Sequence, residues 1–258
     1  MKEHPQPTGH TVSAGSGAEM SVVLITRATY QSIRKTVRYL RQQTARDRLE
    51  VVIVAPSRQQ LAADESELRD FAKVQVVELG PCQSMARARA EAVRHASTPV
   101  IAFGEDHAYP APDWAALLIE AHRQDYVAVG PAIQNANPRS LLSWVNYAMC
   151  FARWCEPVAA GPTDALPWHN TSYKREALLE YGCELPSVLA VEGFLQDNQR
   201  AKGRRLCMLP AAKVAHVNIS LLSSLLKHAF LGGCTAPRAR DSYGGPRRGG
   251  WSTPAPPR

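Results

Sequence analysis

The sequence of 258 residues has no run of about eighteen uncharged apolar residues, so no segment is predicted to span a bilayer. Cysteines are few, six in all, and Cys82, Cys150, Cys155, Cys183, Cys207 and Cys234 are scattered without a C-x-x-C pair. That spacing gives no disulfide framework and argues against structural zinc; reduced thiols in the cytoplasm are the expectation. No G-x-G-x-x-G or Walker sequence follows the first apolar run, which counts against a dinucleotide-binding or P-loop protein. Residues 1–19 lack the apolar stretch of a signal peptide and are rich in Pro, Gly, Ser and His, the composition of a leader without fixed structure. Internal repeats are absent too, so one domain over residues 20–233 is the economical organisation.

Charge excludes a further class. The formal net charge of +7 would suit a polyanionic partner if it were spread over the chain. Residues 235–258, however, hold Arg238, Arg240, Arg247, Arg248 and Arg258 against Asp241, so +4 belongs to this Pro-, Gly- and Arg-rich end. The +3 left for the body is too little to require nucleic acid, and residues 234–258 read as a disordered basic tail.

What the sequence does contain is an alternation of short apolar runs with helical patterns. Ser21–Ile25, Glu50–Val54, Val74–Leu79, Val100–Phe103 and Val127–Pro131 read as strands. Between them lie a helix capped by Ser32 and carrying Ile33, Val37 and Leu40, an amphipathic helix over Leu61–Lys73, an Ala- and Arg-rich helix over Gln83–His95, and a helix begun by Asp113 and Trp114. This order predicts an α/β fold, a mostly parallel sheet with helices on both faces. In the second half, Arg139–Trp154 is apolar and aromatic around Trp144, Tyr147, Phe151 and Trp154. It reads as a core helix, with a membrane-facing lip as the alternative. Arg205–Leu209 is a strand that Pro210 is expected to break before Val214–Val217, and Leu221–Phe230 is amphipathic.

The strand Val100–Phe103 and its turn Gly104 lead directly into Glu105, Asp106 and His107, after which Pro110 and Pro112 forbid continuation. Ligands collect past the carboxyl ends of strands in open α/β sheets. Three groups able to bind metal or protons in that place form a candidate site; the alternative is a solvated acidic turn.

Ile25-Thr26-Arg27, Leu40-Arg41-Gln42-Gln43-Thr44, Glu50 to Ser57, Ala86-Arg87-Ala88, Glu105-Asp106-His107, Asn170 to Glu176, Val191-Glu192 through Gly203, and Pro210 to His216 follow one another as short motifs. In that order they resemble family 2 glycosyltransferases, which have a GT-A fold. The resemblance covers about residues 20–218 and departs in four places. Ala55-Pro56 stands where the family places a base-reading aspartate, Ala88 replaces an asparagine, Glu-Asp-His replaces D-x-D, and Val191-Glu192 keeps one carboxylate of an acid pair. These departures fit a divergent subfamily or an inactive, carbohydrate- or nucleotide-binding relative. A nucleotidyltransferase is the third reading, weakened by the missing Gly-rich phosphate loop.

The resemblance implies an inverting transfer of sugar from a nucleotide-diphosphate donor to a hydroxyl of a glycan or lipid-linked acceptor. It implies a divalent cation that takes up charge on the leaving group, held by Glu105, Asp106, His107 and His216. Imidazole beside carboxylate favours Mn²⁺ over Mg²⁺. Donor contacts are expected from Thr26, Arg27, Ala55, Ser57, Arg87 and Glu105, and acceptor contacts from Trp168, His169 and Asn170. Glu192 is the expected base, deprotonating the acceptor. Trp144 and Trp168 are candidates to stack on sugar rings or to fill the core. The basic tail and Leu221–Phe230 predict weak contact with the inner face of the cell membrane, where lipid-linked acceptors reside.

Overall fold

The computed structural model describes residues 12–13, 17–81, 84–190 and 193–226. Its strands are β1 (Val12–Ser13), β2 (Met20–Ile25), β3 (Leu49–Ala55), β4 (Lys73–Glu78), β5 (Val100–Phe103), β6 (Ala108–Pro110), β7 (Ala128–Asn135), β8 (Gly161–Thr163), β9 (Ser172–Lys174) and β10 (Leu206–His216). Its α-helices are α1 (Tyr30–Arg41), α2 (Arg58–Leu61), α3 (Glu65–Leu68), α4 (Met85–His95), α5 (Trp114–Ala121), α6 (Leu141–Phe151), α7 (Arg175–Leu179), α8 (Leu185–Val188) and α9 (Phe194–Ala201).

The strands form one sheet in the order β1-β4-β3-β2-β5-β9-β7-β10-β6, with β8 also paired to β10. Pairing is parallel through β4, β3, β2 and β5, and again between β7 and β10. β9 enters antiparallel between β5 and β7. The expected mostly parallel α/β sheet is what forms, because β2, β3 and β5 are largely apolar and buried on both faces, with Ser21 of β2 bonded to Glu50 of β3. Helices cover both sides. Ile33, Val37 and Leu40 of α1 join Trp114 and Leu118 of α5 in one core layer. Ala88, Ala92 and Val93 of α4 join Leu178, Leu185 and Leu195 in the other.

This compact unit ends at Ser220, and residues 221–226, a helical turn with Leu221, Leu222 and Leu226 exposed, begin a second unit. The rest of the expected Leu221–Phe230 segment and the basic tail lie outside the described residues. Among the described residues, no helix is long and apolar enough to cross a membrane, and Cys150, Cys155, Cys183 and Cys207 form no disulfide.

Four local expectations give way. Val12–Ser13, inside the leader expected to lack structure, pair antiparallel with Lys73–Val74 at the sheet edge. The single helix expected over Leu61–Lys73 does not form: α2 ends at Leu61, where Ala62 adopts a left-handed backbone (φ 48°), only the short α3 lies within the span, and β4 already begins at Lys73. Pro210 does not end a strand: β10 runs through it, and a register shift between Leu209 and Lys213 takes up the missing N–H. Helix α6 packs on the core along one side only, through Tyr147 and Phe151. It buries Ser143, Asn146, Tyr147 and Phe151, while Leu141, Trp144, Val145 and Met149 face outward.

Candidate active site

The carboxyl ends of the parallel strands converge on one edge of the sheet. Thr26 follows β2, Gly104 and Glu105 follow β5, and Asn135 and His216 end β7 and β10. Because β9 runs the other way, the segment that precedes it, His169–Thr171, arrives at the same edge. Backbone bonds seal the junction: Asn170 N–H donates to Phe103 O at 2.7 Å, and Phe103 N–H donates to Thr171 O at 3.2 Å. Asn170 takes a left-handed backbone, φ 61°, a conformation asparagine tolerates better than most residues.

The Glu105–His107 loop is fixed from two sides. The Thr36 hydroxyl on α1 lies 2.9 Å from Glu105 O, and Val217 N–H donates to His107 O at 3.0 Å. Glu105 is thereby turned inward, its side chain about one-tenth exposed. Its Oε2 lies 3.5 Å from His216 Nε2 and accepts from Asn170 Nδ2 at 3.3 Å. Its Oε1 lies 3.9 Å from His107 Nε2 and 3.1 Å from His169 Nδ1. Burial pushes the Glu105 carboxyl up to about 7, against the opposing pull of the His107 and Arg89 charges.

The histidines differ in role. His107 Nδ1 donates to Asp106 Oδ1 at 2.5 Å, a bond that raises the imidazole pKa against the effect of burial. His216 Nδ1 donates to Asn218 Oδ1 at 3.2 Å, and burial brings its pKa down to about 4. Both rings therefore leave Nε2 toward Glu105. His169 is pushed well below the ordinary range by burial, then by the Arg89 charge.

Ligand atoms of Glu105, His107 and His216 all lie within 4.8 Å of one another. A mixed carboxylate and imidazole set, with each Nδ1 occupied by an acceptor that fixes ring orientation, fits a divalent transition-type cation. Three of the four expected metal residues thus come together. Asp106 stands apart from the set, and its contact is to the back of His107.

Beside this cluster is a cavity of about 400 Å³ whose walls include Thr26, Arg27, Ser32, Met85, Arg89, Phe103, Glu105, Asp106, His107 and His169. That volume is in the range of small-molecule sites. Thr26 and Arg27 line it as expected. Ala55 is fully buried, and the Ser57 hydroxyl accepts the Gln60 N–H as the cap of α2, so neither is among its lining residues. Arg87 is exposed on α4 and also outside the lining. Arg89 takes its place: its Nη2 is 3.2 Å from His169 Nδ1 and its guanidinium lies over the Trp168 and Phe103 rings. Helical spacing carried the signal, because Met85 and Arg89 are i and i+4 on the face next to the buried Ala88 and Ala92. Trp168 and Asn170 sit against Arg89 and Glu105. Trp144 projects outward on α6, bonded through its indole N–H to Pro138 O. Glu192 lies outside the described residues.

Comparison with known proteins adds the following. The model of "Glycosyl transferase family 2" matches residues 21–182. Curated proteins give no significant match. Among solved structures, GalNAc-T7 with UDP, GalNAc and Mn²⁺ aligns with a TM-score of 0.61 at 17% identity, over 79% of this chain and 44% of that one. The mannosyltransferase PcManGT of Pyrobaculum calidifontis, with GDP-Man and Mn²⁺, aligns at 0.58 and 21% identity over 78% and 57%. S. aureus TarS 1-349 with UDP aligns at 0.56 and 18% identity over 76% and 60%. The chain spans roughly half the length of these structures, and at such identities they show the shared fold.

Proposed function

The chain belongs to glycosyl transferase family 2, with a GT-A fold, and from that premise we propose that it transfers a sugar from a nucleotide-diphosphate donor to a hydroxyl acceptor. The observation that carries the reading is the convergence of Glu105, His107 and His216 beside a cavity that also holds Arg89.

Each residue has a distinct task in this reading. Arg89 supplies a fixed positive charge for the donor's phosphates, its planar guanidinium braced by His169 and Trp168. Thr26 and Arg27 meet the nucleoside at the end of β2. Since Ala55 cannot read a base, donor identity falls to these residues together with Ser32 and Met85. Trp168 and Asn170 border the sugar and acceptor. Glu105, His107 and His216 would hold a divalent cation, Mn²⁺ in preference to Mg²⁺. When bound, that ion would act as a Lewis acid toward the leaving diphosphate. Asp106 and Asn218 orient the two imidazoles. Inversion requires a base across the sugar from the leaving group, and Glu192 is assigned that proton from its place in the family pattern.

Calorimetry with UDP and GDP, with and without Mn²⁺, followed by transfer assays over a donor panel, tests the proposal. Cation-dependent nucleotide binding with turnover that Glu192→Gln abolishes is expected. Nucleotide binding without turnover on any donor would indicate an inactive relative, and no nucleotide binding at all would overturn the reading.

A further inference from the structure

Helix α6 has apolar side chains on both of its faces, Tyr147 and Phe151 turned to the core and others to solvent. Its eleven residues carry no charge, and the polar ones point inward. The Ser143 hydroxyl donates to Asn135 Oδ1 at 2.9 Å, and Asn146 Oδ1 accepts the Ile219 N–H at 3.0 Å. The outward stripe is instead Leu141, Trp144, Val145 and Met149, at 79%, 46%, 40% and 67% exposure. Four large apolar side chains at helical spacing on one uncharged surface mark an interaction site.

We propose that this face docks on an anionic lipid bilayer. Charge complementarity favours that occupant: Arg139 is exposed just before the helix, Arg153, ion-paired with Asp164, is exposed just after it, and the sequence continues beyond Ser220 into the leucines Leu221, Leu222 and Leu226 and then five arginines against one aspartate. A stable pairing of two copies needs about 800 Å² from each partner, more than four side chains of a short helix supply. Insertion into the headgroup region asks only for a short apolar stripe with basic flanks. The opposite, buried side of the same helix reaches the candidate site. Phe151, at the end of α6, packs against the His216 ring at a centroid distance of 4.7 Å. On the glycosyl-transfer reading, on which this last step rests, a docked α6 brings the site to the bilayer surface and makes the acceptor a lipid-linked one.

Full-length protein and the double variant Leu141→Glu/Met149→Glu are sedimented with phosphatidylcholine vesicles, with and without phosphatidylglycerol. Both side chains are largely in solvent, so the variant should fold, and its melting temperature checks this. The expected result is binding that needs phosphatidylglycerol, weakens with salt, and falls roughly tenfold or more in the variant. The conservative Leu141→Met/Met149→Leu pair should bind as the parent does. Equal binding by the glutamate variant, no binding by the parent, or a dimer in ultracentrifugation that the glutamates dissociate would each overturn the proposal. A thermal-shift series with UDP, GDP and Mn²⁺ on the same proteins separates the two readings. Its failure with vesicle binding intact counts against glycosyl transfer and for the surface, whereas the reverse outcome counts against the surface alone.

Discussion

Oε1 of Glu105 lies 3.1 Å from Nδ1 of His169. The same nitrogen is 3.2 Å from the Arg89 guanidinium, so one ring connects the cation cluster on β5 to the positive charge on α4. His169 is held neutral by burial and by Arg89, and therefore links the two without adding charge of its own. The arrangement leaves Glu105 with little solvent, and burial outweighs the pull of the His107 and Arg89 charges, so its pKa rises to about 7.

That cost gives a prediction about stability as well as binding. A carboxyl raised from its ordinary range is ionised in the unfolded chain at a pH where the folded chain still holds the proton. Above about pH 7 the folded state carries the full penalty of a buried charge, roughly 3 kcal/mol for a rise from 4.5 to about 7. Glu105→Gln should therefore raise the melting temperature of the cation-free protein at about pH 8, and remove its stabilisation by Mn²⁺. Scanning fluorimetry with and without Mn²⁺ reads both effects. A variant that melts lower and still responds to Mn²⁺ would place the cation elsewhere.

Arg89 and Arg87 make a paired test, since they are two residues apart on α4 and face different directions. Arg89→Met should weaken nucleotide diphosphate binding roughly tenfold, the loss of about one charge-assisted contact, while Arg87→Met should leave it within about a factor of two. Calorimetry on the two variants decides between the residue that lines the cavity and the one the family pattern points to. Equal losses would mean that donor phosphates lie along the exposed side of α4.

Gly104 joins β5 to Glu105, and the space around it is closed. A Cβ there would stand 2.9 Å from Leu24 Cδ2 and 3.3 Å from both Val22 Cγ1 and Val23 O. The backbone carbonyl cannot move aside as a side-chain tip can, so Gly104→Ala should push the end of β5 away from β2 at a cost of about 1–3 kcal/mol. Glu105 would move with it. Denaturation and Mn²⁺ titration of the variant should show both losses, and a variant with wild-type stability and cation response would mean that the neighbouring side chains absorb the methyl.

Much of this was legible in the chain because the signals were local. Apolar runs marked β2, β3 and β5 as strands, and turn residues marked where Glu105 and His107 leave the sheet. His216 was legible only through the family pattern, since nothing local says that β10 ends beside β5's loop; that follows from the order β5-β9-β7-β10. Arg89 was missed because motif spacing pointed to Arg87, and only the packing of Ala88 and Ala92 against the sheet shows which arginine turns to the cavity. Pro210 shows a tertiary override. Pairing with β7 on both sides of the shift, with β8 before it and with β6 after it, keeps β10 extended through a residue that, taken alone, signals a stop. Apolar content could not orient α6, because whether Leu141 or Tyr147 faces the core depends on where Asn135 and Ile219 offer hydrogen bonds.

The last prediction concerns the far end of the sheet, away from any cation. His122 caps α5, and its Nε2 lies 2.9 Å from Ser172 Oγ, whose proton goes to Val129 O at 3.0 Å; the imidazole must therefore donate from Nε2. Burial first, and the Lys174 charge second, bring its pKa down to about 4. For a base, a depressed folded pKa means that the unfolded chain takes up a proton first as pH falls. The stabilisation is thus complete above about pH 6.5 and is lost as pH drops toward 4, roughly 2 kcal/mol of it between about pH 7.5 and 5. His122→Gln can keep a donor toward Ser172 without the titration. Urea unfolding at the two pH values should show a steeper acid loss in the parent than in the variant. Other depressed histidines, His169 and His216, are common to both proteins and cancel in the difference. Parallel slopes would mean that His122 accepts its proton within the fold, and that acid sensitivity belongs to the active-site imidazoles instead.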